Sequence, residues 1–285
     1  MTHLVLQAPA LAPAAIEKIA ALAHASGIRP INSTAATLLD IDAASRQDVA
    51  SVCHEMGVDA AFLEAMMPLT HCRVLAMDMD STLINIECID EIADMVGRKA
   101  EVSAITEAAM RGEIKDFAES LRRRVALLEG VSVDDLDRVY NERLRLNAGA
   151  EKLIQTAKAA GIKTMLVSGG FTLFTERLKA RLGLDETHAN TLETENGRLT
   201  GRVLGDIVDA QGKADYLADL ARRTGADASQ IIAMGDGAND LKMLSLAQYS
   251  VAYRAKPVVR EQANFAISFS GLDAVLNWFV PGGGA

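Results

Sequence analysis

The chain has 285 residues, 29 of them Lys or Arg and 38 Asp or Glu, for a formal net charge of −9 with histidine neutral. At about 150 residues per domain this fits one large or two modest domains, and the acidity argues against a nucleic-acid or anionic-membrane surface, which needs clustered positive charge. With 7 Phe, 4 Tyr and 1 Trp, a base-stacking platform is equally unsupported, which leaves the question of whether some carboxylates hold a metal.

In chain order, Leu4–Gln7 reads as a strand. Residues 13–26 then repeat Ile16, Ile19, Ala20 and Ala23 at helical spacing as far as Gly27. The alanine-rich stretch Leu4–Ile16 lacks a basic flank and is broken by two prolines, so it does not read as a signal segment. Extended stretches at 28–33 and 36–41, a helix from near Ala44 and a strand at Ala60–Leu63 complete a βαββαβ order. That order resembles an ACT-like or ferredoxin-like α+β domain over residues 1–70. A packing unit and a ligand sensor are equally open readings of it. Cys53, Cys72 and Cys88 form no C-x-x-C pair and leave an odd count, which fits a reducing cytoplasm. No run approaches the ~18 apolar residues that span a bilayer.

From Cys72 the pattern changes to short apolar runs separated by helices, the grammar of a parallel α/β sheet over residues 71–285. Val74–Met77, Thr164–Val167 and Ile231–Met234 each end in a polar or glycine-rich cluster. These clusters are Asp78-Met79-Asp80-Ser81-Thr82, Ser168-Gly169-Gly170 and Gly235-Asp236-Gly237-Ala238-Asn239-Asp240. In an open parallel sheet such clusters share the carboxyl edge, where ligands bind. Between the first two lies a helical insertion at about 86–147, with one apolar face from Ile89, Ile92, Ala93 and Val96 and another from Phe117, Leu121, Val125 and Leu128. It reads as a cap over the sheet edge. Asn196-Gly197 marks a hairpin between Thr191–Glu195 and Arg198–Leu204, and Pro281–Ala285 is expected to fray.

Singly, each polar residue has an ordinary explanation. Loop aspartates cap turns, Ser168 would serve as an N-cap for a helix from near Phe171, and Lys213 would be one more solvated lysine. Their joint order does not. D-x-D-x-T, then Ser168 after a strand, Lys213, and G-D-G-x-N-D resembles the haloacid dehalogenase superfamily over about residues 72–270. The resemblance implies a Rossmann-like parallel sheet with an inserted cap and Mg²⁺-dependent phosphoryl chemistry. Asp78 would be the nucleophile and Asp80 the general acid and base. Mg²⁺ would be held by Asp78, the Asp80 backbone carbonyl and Asp236, with Asp240 supporting the metal or holding Lys213. Ser168, Gly169, Lys213 and Asn239 would bind the substrate, its phosphate meeting donors at a helix start, with Gly170 in support.

Within that superfamily the stretches DMDSTLINIECIDE (Asp78–Glu91) and FAESLRRRVALL (Phe117–Leu128) are similar to the phosphoserine phosphatase family. This implies that Glu87 meets a substrate ammonium and Arg124 a carboxylate. At ~100° per residue Arg124 falls inside the apolar stripe of its helix, whereas Arg122 and Arg123 point away. A partner acid in the cap is the alternative explanation for Arg124. Met110 and Phe117 are expected on the apolar side of the pocket, and Cys88 in cap packing. The expected partner is a small phosphate ester, O-phospho-L-serine, at the last step of L-serine biosynthesis, with no nucleic acid or membrane and with a homodimer left open. A phosphotransferase acting on another small alcohol, and an amino-acid sensor with a vestigial phosphatase domain, are the competing expectations.

Overall fold

The computed structural model describes residues 2–111 and 113–280, without the side chains of Ala43 and Met110. The expected fraying of residues 281–285 falls outside the described residues.

The chain opens with β1 (Thr2–Gln7), α1 (Pro13–Leu22), β2 (Gly27–Asn32), β3 (Ala35–Ile41), α2 (Arg46–Glu55) and β4 (Asp59–Leu63). The strands form an antiparallel sheet in the order β2-β3-β1-β4. Helix α1 stops at Leu22, short of the expected Gly27. His24 takes a left-handed φ of 50°, and the Ser26 N–H already donates to the Leu39 carbonyl at 2.9 Å. Alternation along the strands gives this sheet two buried faces. Leu4, Leu6 and Leu38 pack with Ile19, Val49 and Cys53 of the two helices, while Val5, Ala61 and Leu63 join the main core of the following unit.

That unit begins with β5 (Val74–Met77). The helical insertion follows as α3 (Cys88–Met95), α4 (Lys99–Met110), α5 (Phe117–Ala126) and α6 (Val133–Arg138). Next come α7 (Ala150–Ala159), β6 (Lys163–Phe171), α8 (Thr172–Leu182), β7 (Glu186–Glu195), β8 (Arg198–Leu204) and α9 (Ala210–Thr224). The chain closes through β9 (Ile231–Gly235), α10 (Leu241–Leu244), β10 (Tyr249–Tyr253), α11 (Pro257–Gln262) and β11 (Phe265–Ile267). The sheet order is β11-β10-β9-β5-β6-β7-β8, parallel except for the β7–β8 hairpin. Asn196 (φ 51°) and Gly197 (φ 74°) make that hairpin's two-residue turn. Strand β7 is longer than its hairpin signal because its first half runs parallel to β6.

The central strands are apolar throughout because helices cover both sheet faces. Leu75, Met77, Ile232 and Met234 point into one core, and Val74, Ala76, Ile231 and Ala233 into the other. Among the described residues, no helix is long and apolar enough to cross a membrane.

Candidate active site

Adjacent parallel strands β9, β5 and β6 end side by side, which brings the three polar clusters together. Asp78, directly after β5, stays in register by donating its N–H to the Met234 carbonyl at 3.0 Å. Lys213, on the first turn of α9, donates from Nζ to Oδ1 of Asp78 and to Oδ1 of Asp240, both at 2.7 Å. Burial alone would discharge this ammonium, but Asp240 and Asp78 hold its pKa above the usual range. Lys213 is 1% exposed and stands behind Asp78 rather than on the cavity wall.

Asp240 is engaged through both oxygens. Besides Lys213, its Oδ2 accepts from the N–H groups of Asp236 (3.1 Å) and Gly237 (3.0 Å). A Cβ on residue 235 would lie 2.5 Å from the Asp240 carboxyl carbon, so this loop closes only on glycine. Thr82 donates to Asp236 Oδ1 at 3.1 Å. Carboxylate oxygens of Asp78, Asp236 and Asp240 lie within 4.8 Å of one another. Burial pushes Asp78 well above the carboxylate range, with the Asp240 charge adding and Lys213 opposing. Burial, then Asp240 and Glu87, raise Asp236 to about 6.

These residues fit a hard divalent cation, which prefers oxygen ligands. Asp78 and Asp236 each have one oxygen outside the hydrogen bonds described, both line the cavity, and several buried acids face one buried ammonium. The two engaged oxygens of Asp240 make it scaffold rather than ligand, despite its proximity. The Asp80 carboxylate stands outside the triplet. Its Oδ1 is buried without a hydrogen-bond partner, and its pKa is raised to about 7 by burial and then by the charge of Glu87, with Cys88 and Lys213 opposing.

Ser168, Gly169 and Gly170 lie inside β6, where the pairing with β7 slips between Val167 and Phe171. The Ser168 hydroxyl accepts from the Gly170 N–H at 2.8 Å. Helix α8 starts only at Thr172, with Phe171 in the capping position and no side-chain cap. Ser168 is therefore neither an N-cap nor at a helix start, a correction to both sequence expectations: the polar run is an irregular stretch within β6, where its pairing with β7 is interrupted. Gly170 lies in close approach, since a Cβ there would stand 2.9 Å from Met79 Cε and 3.0 Å from Asp80 Oδ2 and crowd both side chains.

Above this floor is a cavity of about 500 Å³ lined by Asp78, Asp80, Glu87, Phe117, Arg124, Ser168, Gly169, Gly170, Asp236 and Asn239. Glu87 precedes α3 and accepts from the Ser81 hydroxyl at 2.7 Å. Arg124 is half-buried while Arg122 and Arg123 are exposed, as helical geometry requires. Its only described hydrogen bond runs from Nε to the Ser120 carbonyl at 3.4 Å. Burial pulls the Arg124 pKa below its usual range, against the opposing charges of Asp90, Glu87 and Asp80. Phe117 approaches Gly169 so closely that a Cβ there would meet its ring at 3.0 Å. The side chain of Met110 lies outside the described residues. Cys88 is fully buried beside Asp80, whose charge helps raise its thiol pKa after burial itself.

Sequence reasoning missed Asp90 and Lys256, which also line the cavity, and the bond from Thr82 to Asp236. Asp90 lies one helical turn beyond Glu87, a spacing that would have flagged it. Lys256 carries no comparable signal.

A family model described as haloacid dehalogenase-like hydrolase matches residues 75–245, and one described as a domain of unknown function matches residues 4–49. A phosphoserine phosphatase of Polaromonas sp. is 59% identical over 214 residues, covering 74% of this chain and 91% of that protein. The crystal structure of a probable phosphoserine phosphatase from Vibrio cholerae, unliganded, superposes with a TM-score of 0.84 at 37% identity, covering 97% of this chain and 85% of that one. A substrate-bound phosphoserine phosphatase complex gives a TM-score of 0.68 at 36% identity, covering 73% and 99% respectively.

Proposed function

The chain belongs to the haloacid dehalogenase-like hydrolases, and from that premise we propose that it hydrolyses O-phospho-L-serine to L-serine and phosphate in the cytoplasm, closing L-serine biosynthesis. The observation that carries this reading is the pairing of Glu87 and Arg124 on the wall of the cavity whose floor holds Asp78, Asp80 and Asp236. A carboxylate and a guanidinium above a phosphoryl site suit a zwitterionic head group, and arginine grips a carboxylate bidentately.

In this reading residues 1–70 are an ACT-like unit, and about 86–147 form the cap that selects the substrate. Lys213, bonded to one Asp78 oxygen, opposes the rise that burial imposes on this carboxyl and favours its ionised form. One oxygen of the Asp78 carboxylate attacks phosphorus, the bond to the serine oxygen breaks, and Asp80, raised to about 7, gives its proton to the leaving oxygen. Asp80 then takes a proton from water, whose oxygen displaces Asp78 from phosphorus, so phosphate leaves and both acids return to their starting states. Ser168 and Gly169 hold the phosphoryl oxygens, and Asn239 bounds the site. Mg²⁺, held by Asp78, the Asp80 carbonyl and Asp236, supplies charge neutralisation and orientation of the phosphate when bound. With Asp78 and Asp80 both in place, a vestigial site finds no support, and no described residue marks an acceptor site for another alcohol.

The test is phosphate release from O-phospho-L-serine, with and without Mg²⁺, beside phosphothreonine, phosphoethanolamine and an aryl phosphate. Phosphoserine should lead and require the metal. Asp78→Asn should abolish turnover, and substantial residual activity in that variant would overturn the assignment.

A further inference from the structure

We propose that Asn190, outside the cavity and 1% exposed, is the positioning residue that sets the distance between the phosphate-binding loop and the helix carrying Lys213. The inference rests on the functional reading above.

The argument starts from the slip in the sheet. Val167 pairs with His188, but the next pair is Phe171 with Asn190, so four residues on β6 are matched by two on β7. Residues 168–170 consequently leave the regular ladder, and a carbonyl that leaves a ladder inside a protein needs another donor. Asn190 provides it, its Nδ2 donating to the Gly169 carbonyl at 2.8 Å. The other end of the same amide is also used. Oδ1 accepts the Val208 N–H at 2.8 Å, one residue before Asp209, which caps α9 by accepting from the Gly212 N–H at 2.8 Å. Lys213 follows on that first turn, its own N–H bonded to the Asp209 carbonyl at 2.9 Å.

One planar amide thus spans from the backbone of Gly169 to the lead-in of the helix bearing the ammonium that holds Asp78. Gly169 also lies close to the Phe117 ring, which a Cβ there would meet at 3.0 Å. Donor and acceptor are both needed at this length, and near neutral pH an amide offers both where an ionised carboxylate only accepts. Aspartate keeps the size and the acceptor but places a carboxylate against the Gly169 carbonyl.

In Asn190→Asp, KM for phosphoserine and the inhibition constant of inorganic phosphate should rise together by about tenfold or more, because misplacing a binding loop by a fraction of an ångström weakens each contact made to the phosphate. Both should recover toward wild type as the pH falls from about 8 to about 5.5, where a protonated aspartic acid can again donate to the carbonyl. Asn190→Ser, which keeps a donor but cannot span both partners, should show the same joint rise without pH recovery. It also serves if the aspartate variant does not fold. Either folded variant with wild-type KM and phosphate inhibition would overturn the proposal, and so would a loss confined to kcat with no recovery at low pH. Calorimetric titration of wild type and variants with inorganic phosphate in Mg²⁺ reads the loop independently of turnover. A wild-type protein that binds phosphate but leaves phosphoserine intact therefore counts against the functional reading and not against Asn190.

Discussion

Arg124 is the side chain on which the proposed choice of substrate rests. It is the member of three consecutive arginines that turns inward, and its only described hydrogen bond is a long one to the Ser120 carbonyl, so the guanidinium retains donors for a ligand. Arg124→Ala should raise KM for phosphoserine by about 100-fold, the scale of a lost charged hydrogen-bond pair. The rise should be much smaller for phosphoethanolamine, which has no carboxylate, and equal losses on the two substrates would contradict the role. This residue was legible in the sequence because a helix turns about 100° per residue and a buried charge among apolar neighbours demands a reason. Asp78, Asp80 and Asp236 were legible because each follows an apolar strand. Asn190 was not, since nothing in its neighbours distinguishes a bridging amide from any polar residue in a half-buried strand.

At the level of elements, the parallel strands are recognisable from their uninterrupted apolar runs, but their junctions are not. Asp185, just before β7, is one such junction. Its carboxylate accepts from Lys163 Nζ at 2.7 Å and from the Thr164 N–H and hydroxyl, both at 2.9 Å. Burial acts to raise its pKa, but these bonds outweigh it and hold the group below the usual range. The stabilisation is therefore complete above the unfolded pKa of about 3.9 and is lost as the pH falls through the lower folded value. Asp185→Asn should cost about 1–2 kcal/mol in urea denaturation near neutral pH and little near pH 2, whereas a penalty independent of pH would rule out this account. Sequence pattern placed α1 and β7 but misjudged where they stop or start. The left-handed His24 and the slipped β6–β7 register depend on partners far along the chain.

Across the whole molecule, the N-terminal sheet is joined to the larger unit by more than a linker. Asp59, at the start of β4 and 3% exposed, accepts from the N–H groups of Ser268 (2.6 Å), Phe269 (3.2 Å) and Ser270 (2.8 Å). Asn277 reaches Gln7 and Asn32, and Val5, Ala61 and Leu63 belong to the shared core. Asp59→Ala would leave three N–H groups without an acceptor, and the protein should lose about 3 kcal/mol of unfolding free energy. Wild type should melt in a single calorimetric transition, while two resolved transitions would show that the units are energetically separate.

In the proposed reading the groups that break the phosphate ester bond, Asp78 and Asp80, follow β5, while Glu87 and Arg124 belong to the inserted segment. Chemistry and selectivity would then be carried by different stretches of chain, coupled where the Glu87 charge raises Asp80 and where Phe117 packs on Gly169. Exchanging residues 86–147 for an insertion with a different lining would redirect the same reaction to another phosphate ester.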